Sequence, residues 1–290
     1  MSILPRLSAL GLGFLLAVPA LAQDRTSVSV GELTVSYGDV GQGDPIVLVH
    51  GGGLTSRMWG AFADAAVAAG YRVLTPDTRN HGGTDNPSGT FGYDLLAEDL
   101  AGFITALGLQ EPVVMGYSDG GIIVETFLQA HPDMASAAVI GGASHRIAAD
   151  EHYMNGMMAF YGFNGRGELP DAALDAIVTN MPKFAERLQG LHATEAEPDR
   201  WRSLHKLTWP VWTSERIFDL AGFAAVDAPV LVFLGQHDEF FLPEDALALA
   251  RAFKKGEVAV MPGGTHTVFR DRPEIFAAVV LDFLTRAKAE

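Results

Sequence analysis

Three side chains able to build one proton-transfer site stand in three separate stretches of this chain. Ser118 lies in Gly116-Tyr117-Ser118-Asp119-Gly120-Gly121, directly after an apolar run at 112–115 and before a helix-forming stretch. A serine hydroxyl is a weak nucleophile until a base takes its proton, so a histidine and an orienting carboxylate must accompany it. Asp238 follows the apolar run 230–234 in Gly235-Gln236-His237-Asp238-Glu239, and His266 follows 257–261 in Gly263-Gly264-Thr265-His266-Thr267. Serine, acid, histidine is the chain order that a Gly-x-Ser-x-Gly nucleophile turn calls for. The glycines have a mechanical reason. The turn forces Ser118 into a strained backbone geometry, and the residues two before and two after it must be small for strand and helix to approach. Asp238 is assigned to hold His266 in the proton-accepting tautomer; Glu239, one residue further on, is the alternative acid.

Attack on a carbonyl also needs donors for the oxyanion. His50-Gly51-Gly52-Gly53, at the end of the apolar run 45–49, offers backbone N–H groups with no side chains in the way. Gly52 is the expected donor, with Gly53 as the alternative, and the second donor is the N–H of Asp119. With no Cys, the chain has no thiol nucleophile and no thiolate metal site. His145, His152, His192 and His205 show no short metal-ligand spacing, so neither metal nor cofactor is expected. His237 reads as a loop neighbour of Asp238, not a second base.

The elements that position these residues follow from periodicity. Alternating residues 27–30 and 33–37, joined at Gly31, predict two half-exposed strands, and the run 45–49 predicts a strand covered on both faces. Helices are expected at 58–69, 93–107, 120–130, 243–253 and 273–286, and strands at 71–74, 112–115, 135–140, 230–234 and 257–261. Strand alternating with helix predicts a mostly parallel, doubly wound sheet. Between about 143 and 223 no strand-length β-branched run occurs, so this segment reads as a helical insertion. The division expected is 23–143 and 224–290 for the α/β core and 144–223 for a helical cap.

Composition sets the class. Of 290 residues, 48% are hydrophobic and 19% charged, enough apolar mass for a sizeable core. The 20 Lys and Arg against 35 Asp and Glu give a net charge of −15, which makes nucleic acid a poor partner. At the N-terminus, Arg6, an apolar run and Ala20-Leu21-Ala22 before Gln23 read as an export signal over 1–22, with a retained anchor as the alternative. The expected location is periplasmic or secreted, with no stable membrane anchor once the signal is removed. Gly11-Leu12-Gly13 falls inside that segment and is no dinucleotide fingerprint.

Taken together, HGGG, GYSDGG, GQHD and GGTH at strand ends resemble the α/β-hydrolase superfamily from about residue 35 to the C-terminus. The resemblance implies an α/β-hydrolase fold with a helical cap and hydrolase activity needing no cofactor. Asp77-Thr78-Arg79-Asn80-His81-Gly82 is similar to the superfamily's Asp-x-Arg-Gly-x-Gly loop, with Asn80 in place of its first glycine, and implies a bracing role for Arg79 and His81. Serine where dehalogenases and epoxide hydrolases of this fold carry Asp argues against both. GYSDGG is also similar to the GWSDGG of valacyclovir hydrolase-like esterases, in which the Asp binds a substrate ammonium. That makes Asp119 a candidate substrate-binding residue, the plain alternative being a carboxylate favoured at a helix N-terminus. Met154, Met157, Met158, Phe160, Tyr161, Phe163, Trp201, Trp209 and Trp212 are expected either to line an apolar pocket or to pack the underside of the cap.

The function expected is that of a serine hydrolase cleaving small carboxylic esters through an acyl-enzyme, with a small-molecule ester as partner. A cofactor-free perhydrolase on the same triad and a non-catalytic pocket receptor are the alternatives.

Overall fold

A computed structural model describes residues 25–289; the export signal read at 1–22 lies outside the described residues. The chain opens with a hairpin, β1 (Thr26–Val30) and β2 (Leu33–Val40), turning at Gly31 with φ +56. β3 (Asp44–Val49), α1 (Gly60–Ala68), β4 (Tyr71–Pro76), α2 (Tyr93–Ala106), β5 (Val113–Tyr117), α3 (Asp119–Ala130) and β6 (Ala137–Gly141) follow in strict alternation. A second region then carries β7 (Arg146–Ile147), α4 (Glu151–Tyr161), α5 (Asp171–Asn180), α6 (Pro182–His192), α7 (Arg200–Trp212) and β8 (Arg216–Ile217). The alternation closes with β9 (Val230–Gly235), α8 (Pro243–Ala252), β10 (Gly256–Met261), α9 (Val268–Asp271) and α10 (Pro273–Ala287).

Among the described residues these strands build an eight-stranded sheet in the order β1-β2-β4-β3-β5-β6-β9-β10. Only β1 with β2 and β2 with β4 pair antiparallel; every other neighbour is parallel. The fold is that of an α/β hydrolase. Strand β3 shows why an unbroken apolar run works here. Val47 and Val49 point into the core under α2 and α3, while Ile46 and Leu48 point into the core under α1 and α10.

Three features depart from the expectations. Residues 56–59 form a separate 3-10 turn before α1, where one helix from 58 was expected. The α9 turn after His266 has no apolar period long enough to announce it. The insertion, expected to be mostly helical, is also pinned at its base by an unanticipated antiparallel two-residue pair, β7 and β8, matching Arg146 to Ile217 and Ile147 to Arg216. A two-residue strand leaves no alternation to detect.

On α3, Glu125 is fully buried, and neither carboxylate oxygen has a hydrogen-bond partner among the described residues. Burial therefore pushes its carboxyl well above the ordinary range, against a weaker opposing pull from Arg216. A raised folded-state value makes this carboxyl a liability above its unfolded value, one that fades as pH falls. Glu125→Met is expected to raise unfolding free energy by about 1–3 kcal/mol at pH 8, shrinking towards pH 4.5, as read by urea denaturation at both pH values.

Candidate active site

The carboxyl ends of β3, β5, β9 and β10 meet at one edge of the sheet, where parallel α/β sheets collect their ligands. Ser118 bridges β5 and α3 with φ +57 and ψ −123, a left-handed setting that side chains avoid. The turn is held by contact on both sides. A Cβ on Gly116 would lie 1.9 Å from the Gly120 carbonyl oxygen, and one on Gly120 would lie 2.1 Å from the Val49 carbonyl oxygen. Helix α3 thus presses directly on β3, and the Ser118 N–H donates to the Gly141 carbonyl at 2.8 Å.

A continuous hydrogen-bonded chain runs from this serine. Ser118 Oγ is 3.0 Å from His266 Nε2, and His266 Nδ1 is 2.9 Å from Asp238 Oδ2. The other Asp238 oxygen accepts from the N–H groups of Phe240 and Phe241 at 2.9 and 3.0 Å, which fixes the carboxylate. Glu239, the alternative acid, instead accepts the backbone N–H of His266 at 2.9 Å. It positions the loop and leaves the ring to Asp238. Phe240 and Tyr117 pack on the imidazole with centroids 4.8 and 5.9 Å away, shielding it from water. Burial pulls the His266 ring down, but Asp238, by charge and hydrogen bond, with Glu239 and Asp119 behind it, carries it above the ordinary imidazole value.

The glycine loop after β3 is clamped by histidines. His50 Nδ1 donates to the Gly51 carbonyl at 2.9 Å, while its Nε2 accepts from Thr78 N–H at 3.0 Å. His81 Nε2 accepts from Gly53 N–H at 3.2 Å, and His192, reaching in from α6, donates through Nε2 to the Gly53 carbonyl at 2.9 Å. His192 Nδ1 takes the Gly82 N–H at 3.2 Å, so each of its nitrogens has one assigned role. Burial keeps these rings neutral: His81 is pushed well below the ordinary value, and His192 and His205 down to about 4. Gly53 N–H is therefore engaged, and Gly51 N–H is turned to Met58 sulfur at 3.2 Å. That leaves Gly52 N–H as the loop's unpaired donor among the described residues. The Asp119 N–H, the first amide of α3, stands among the donors a helix leaves without an internal partner.

The side chain of Asp119 is occupied. Tyr93 Oη donates to one oxygen and Trp212 Nε1 to the other, both at 2.6 Å, and the residue is 7% exposed. Burial raises its carboxyl to about 6 despite these two donors and the nearby His266. Trp212 also lies against the glycine loop, 2.6 Å from where a Gly52 Cβ would stand. The Asp-x-Arg loop braces the same edge. Asp77 accepts from Ser56 and Gly83 N–H at 2.9 and 3.0 Å, and Arg79, 3% exposed, grips both Asp99 oxygens at 2.9 Å. Asn80, in place of a glycine, has φ +64, a left-handed setting asparagine tolerates better than most side chains.

A cavity of about 680 Å³ opens over Ser118 and His266. Met157, Phe160, Tyr161 and Trp212 of the insertion line it, whereas Trp201 and Trp209 are packed away at 2% and 0% exposure and Met158 lies outside at 47%. The aromatic cluster thus divides between pocket wall and packing. Each of His145, His152, His192 and His205 bonds a backbone carbonyl, and no group of metal-ligating side chains occurs among the described residues. Sequence reasoning reads Trp212 only as a pocket-lining or packing aromatic, weighs His192 only as a metal ligand and singles out no role for Tyr93, so the contacts these three make at the site are not anticipated. Their partners are 26, 93 and 139 positions away, and no periodic pattern marks them.

Residues 44–273 match the family model for the alpha/beta hydrolase fold. The chain is 28% identical over 268 residues to a Mycobacterium tuberculosis protein named as a candidate non-heme bromoperoxidase, covering 89% of this chain and 100% of the relative. It superposes on a meta-cleavage product hydrolase from Pseudomonas fluorescens with a TM-score of 0.72 at 19% identity, covering 90% of this chain and 98% of the other. A thermophilic esterase from Thermogutta terrifontis gives 0.69 at 23% identity, covering 91% and 99%. With a serine turned out above the sheet at a glycine-pinned elbow, and a family model spanning more than half of its length, this chain belongs to the α/β hydrolase family.

Proposed function

We propose that this hydrolase cleaves small carboxylic esters through a covalent acyl-enzyme. The observation that carries the reading is the unbroken Ser118, His266, Asp238 hydrogen-bond chain, with spacings of 3.0 and 2.9 Å, at the floor of an open cavity. Ser118 Oγ attacks the ester carbon as His266 Nε2 takes its proton. The carbonyl oxygen gains the charge and is held by the N–H groups of Gly52 and Asp119. Collapse breaks the bond to the alcohol oxygen, which leaves with the proton from His266, and the acyl group stays on Ser118. Water then repeats the sequence, giving its proton to His266 and releasing the acid. Asp238 holds the ring's tautomer and stabilises the imidazolium at each transfer.

A second reading is peroxide in place of water as acyl acceptor, so that a peracid leaves. The bromoperoxidase relative favours it, and perhydrolysis of acetate followed with a halogenation dye separates the two. A third, a receptor that binds without chemistry, is separated by covalent labelling. Wild-type protein is expected to react with a fluorophosphonate probe. Ser118→Ala is expected to lose the label and at least about 10⁴-fold of its ester turnover. A wild-type protein that stays unlabelled would favour the receptor.

The base must be neutral to act, and His266 is held above its ordinary 6.5. The acid limb of kcat/KM is therefore expected above that pH, with activity lost as pH falls through it; a limb near pH 5 would contradict the assignment. His192, which holds the Gly53 carbonyl, is a positioning residue. His192→Phe is expected to lower kcat about tenfold with little change in KM, and His192→Gln, which keeps a donor at that reach, to recover part of it.

A further inference from the structure

Building on the esterase reading, we infer that the mouth of the cavity is an anion subsite, so that the preferred ester carries a carboxylate remote from the bond cleaved. Three exposed cations line the cavity that contains Ser118: Arg57 from the 3-10 turn after β3, and Lys183 and Arg187 one turn apart on α6. None of the three has a hydrogen-bond or ion-pair partner among the described residues. Arg251 and Arg272 are likewise without a side-chain partner among the described residues, but most other cations on this chain, with 35 acidic against 20 basic side chains, are paired with carboxylates. Arg72 pairs with Asp39 at 2.6 Å, Arg202 with Asp175 at 2.5 Å and Lys206 with Asp171 at 2.7 Å. Glu186, which lies between Lys183 and Arg187 in sequence, is not on the cavity wall. A fourth cation, Arg270, also lines the cavity and is shared with Asp271 at 3.4 Å.

The wall holds a single carboxylate among the described residues, Asp119, and both its oxygens are taken by Tyr93 and Trp212. A cationic substrate would meet three unpaired positive charges and an occupied anion. An anionic one would meet the reverse. The rest of the wall is dominated by aromatic and apolar side chains, so the ligand that fits has an apolar body and a charged end. The chain's overall charge of −15 repels such an anion at long range, and the exposed cations on the cavity wall offset that repulsion locally.

The test uses the full chain and esters of matched shape. Monobenzyl glutarate carries the anion on the acyl side, 4-carboxybenzyl valerate carries it on the alcohol side, benzyl valerate is neutral and benzyl 5-aminovalerate is cationic. At least one anionic ester is expected to exceed the neutral one in kcat/KM by about tenfold at low salt, an advantage that shrinks as ionic strength rises towards about 0.5 M. In a protein carrying Arg57→Gln, Lys183→Gln and Arg187→Gln together, the anionic-to-neutral ratio is expected to fall about tenfold. A ratio unmoved by the triple substitution would overturn the subsite, and so would a preference for the aminovalerate, which would return the acyl end to Asp119. Should no ester be turned over, the esterase reading fails by itself. Calorimetric binding of the same esters to Ser118→Ala, with and without the triple substitution, then decides the subsite: tighter binding of an anionic ester that the substitutions abolish supports it, and equal binding ends it.

Discussion

Ser118 holds φ +57 and ψ −123, a conformation that a residue with a side chain keeps only when everything around it is over-determined. Here the over-determination is steric. Gly116 and Gly120 meet with no room for a Cβ, Gly120 presses on the Val49 carbonyl, and the Ser118 N–H is tied to Gly141 on the neighbouring strand. The helix that starts at Asp119 therefore cannot slide along the sheet. The Cα–Cβ bond of Ser118 is aimed by these backbone contacts, and the hydrogen bond to His266 then holds the hydroxyl. Relaxing either glycine would move the nucleophile, the first amide of α3 and the glycine loop beside it together.

From that fixed point the other parts converge along the parallel strands. β9 and β10 run side by side in register, so the loops after Gly235 and Met261 leave the sheet at the same level. His237 N–H then donates to the Gly264 carbonyl at 2.8 Å and His266 N–H to Glu239 at 2.9 Å, which ties the two loops to each other. The carboxylate and the imidazole reach hydrogen-bonding distance because their loops are paired as backbone first. Phe240 packs edge-on against the ring, with centroids 4.8 Å apart.

How much of this was legible depends on how locally each feature is encoded. The parallel sheet, the elbow and the four loops at strand ends were readable because a strand is a short apolar run and a turn needs glycine at fixed offsets. The sequence ranks Gly52 ahead of Gly53 and Asp238 ahead of Glu239 without showing what would separate them. The contacts that make those distinctions physical, His81 on the Gly53 N–H and Glu239 on the His266 backbone, are long-range and were not visible. The same holds for Trp212 and His192. Each lies on a helix whose pattern reports only which side is buried, and neither pattern says that a particular nitrogen will meet a particular oxygen far away in the chain. The two-residue β7 and β8 pair escaped because it is too short to carry any period.

Asp119 joins these threads in one residue. In the proposed mechanism its amide holds the negative charge that gathers during attack, while its carboxylate is gripped by Tyr93 from α2 and by Trp212 from α7. The tryptophan rests in turn against Gly52, beside the loop's unpaired amide. On the proposed mechanism, the C-terminal end of α7 is therefore a wall of the oxyanion pocket as well as part of the cavity lining. Tailoring this enzyme to a bulkier guest by redesigning that helix would alter reaction speed along with selectivity, because the same indole shapes the room and props up the electrostatics.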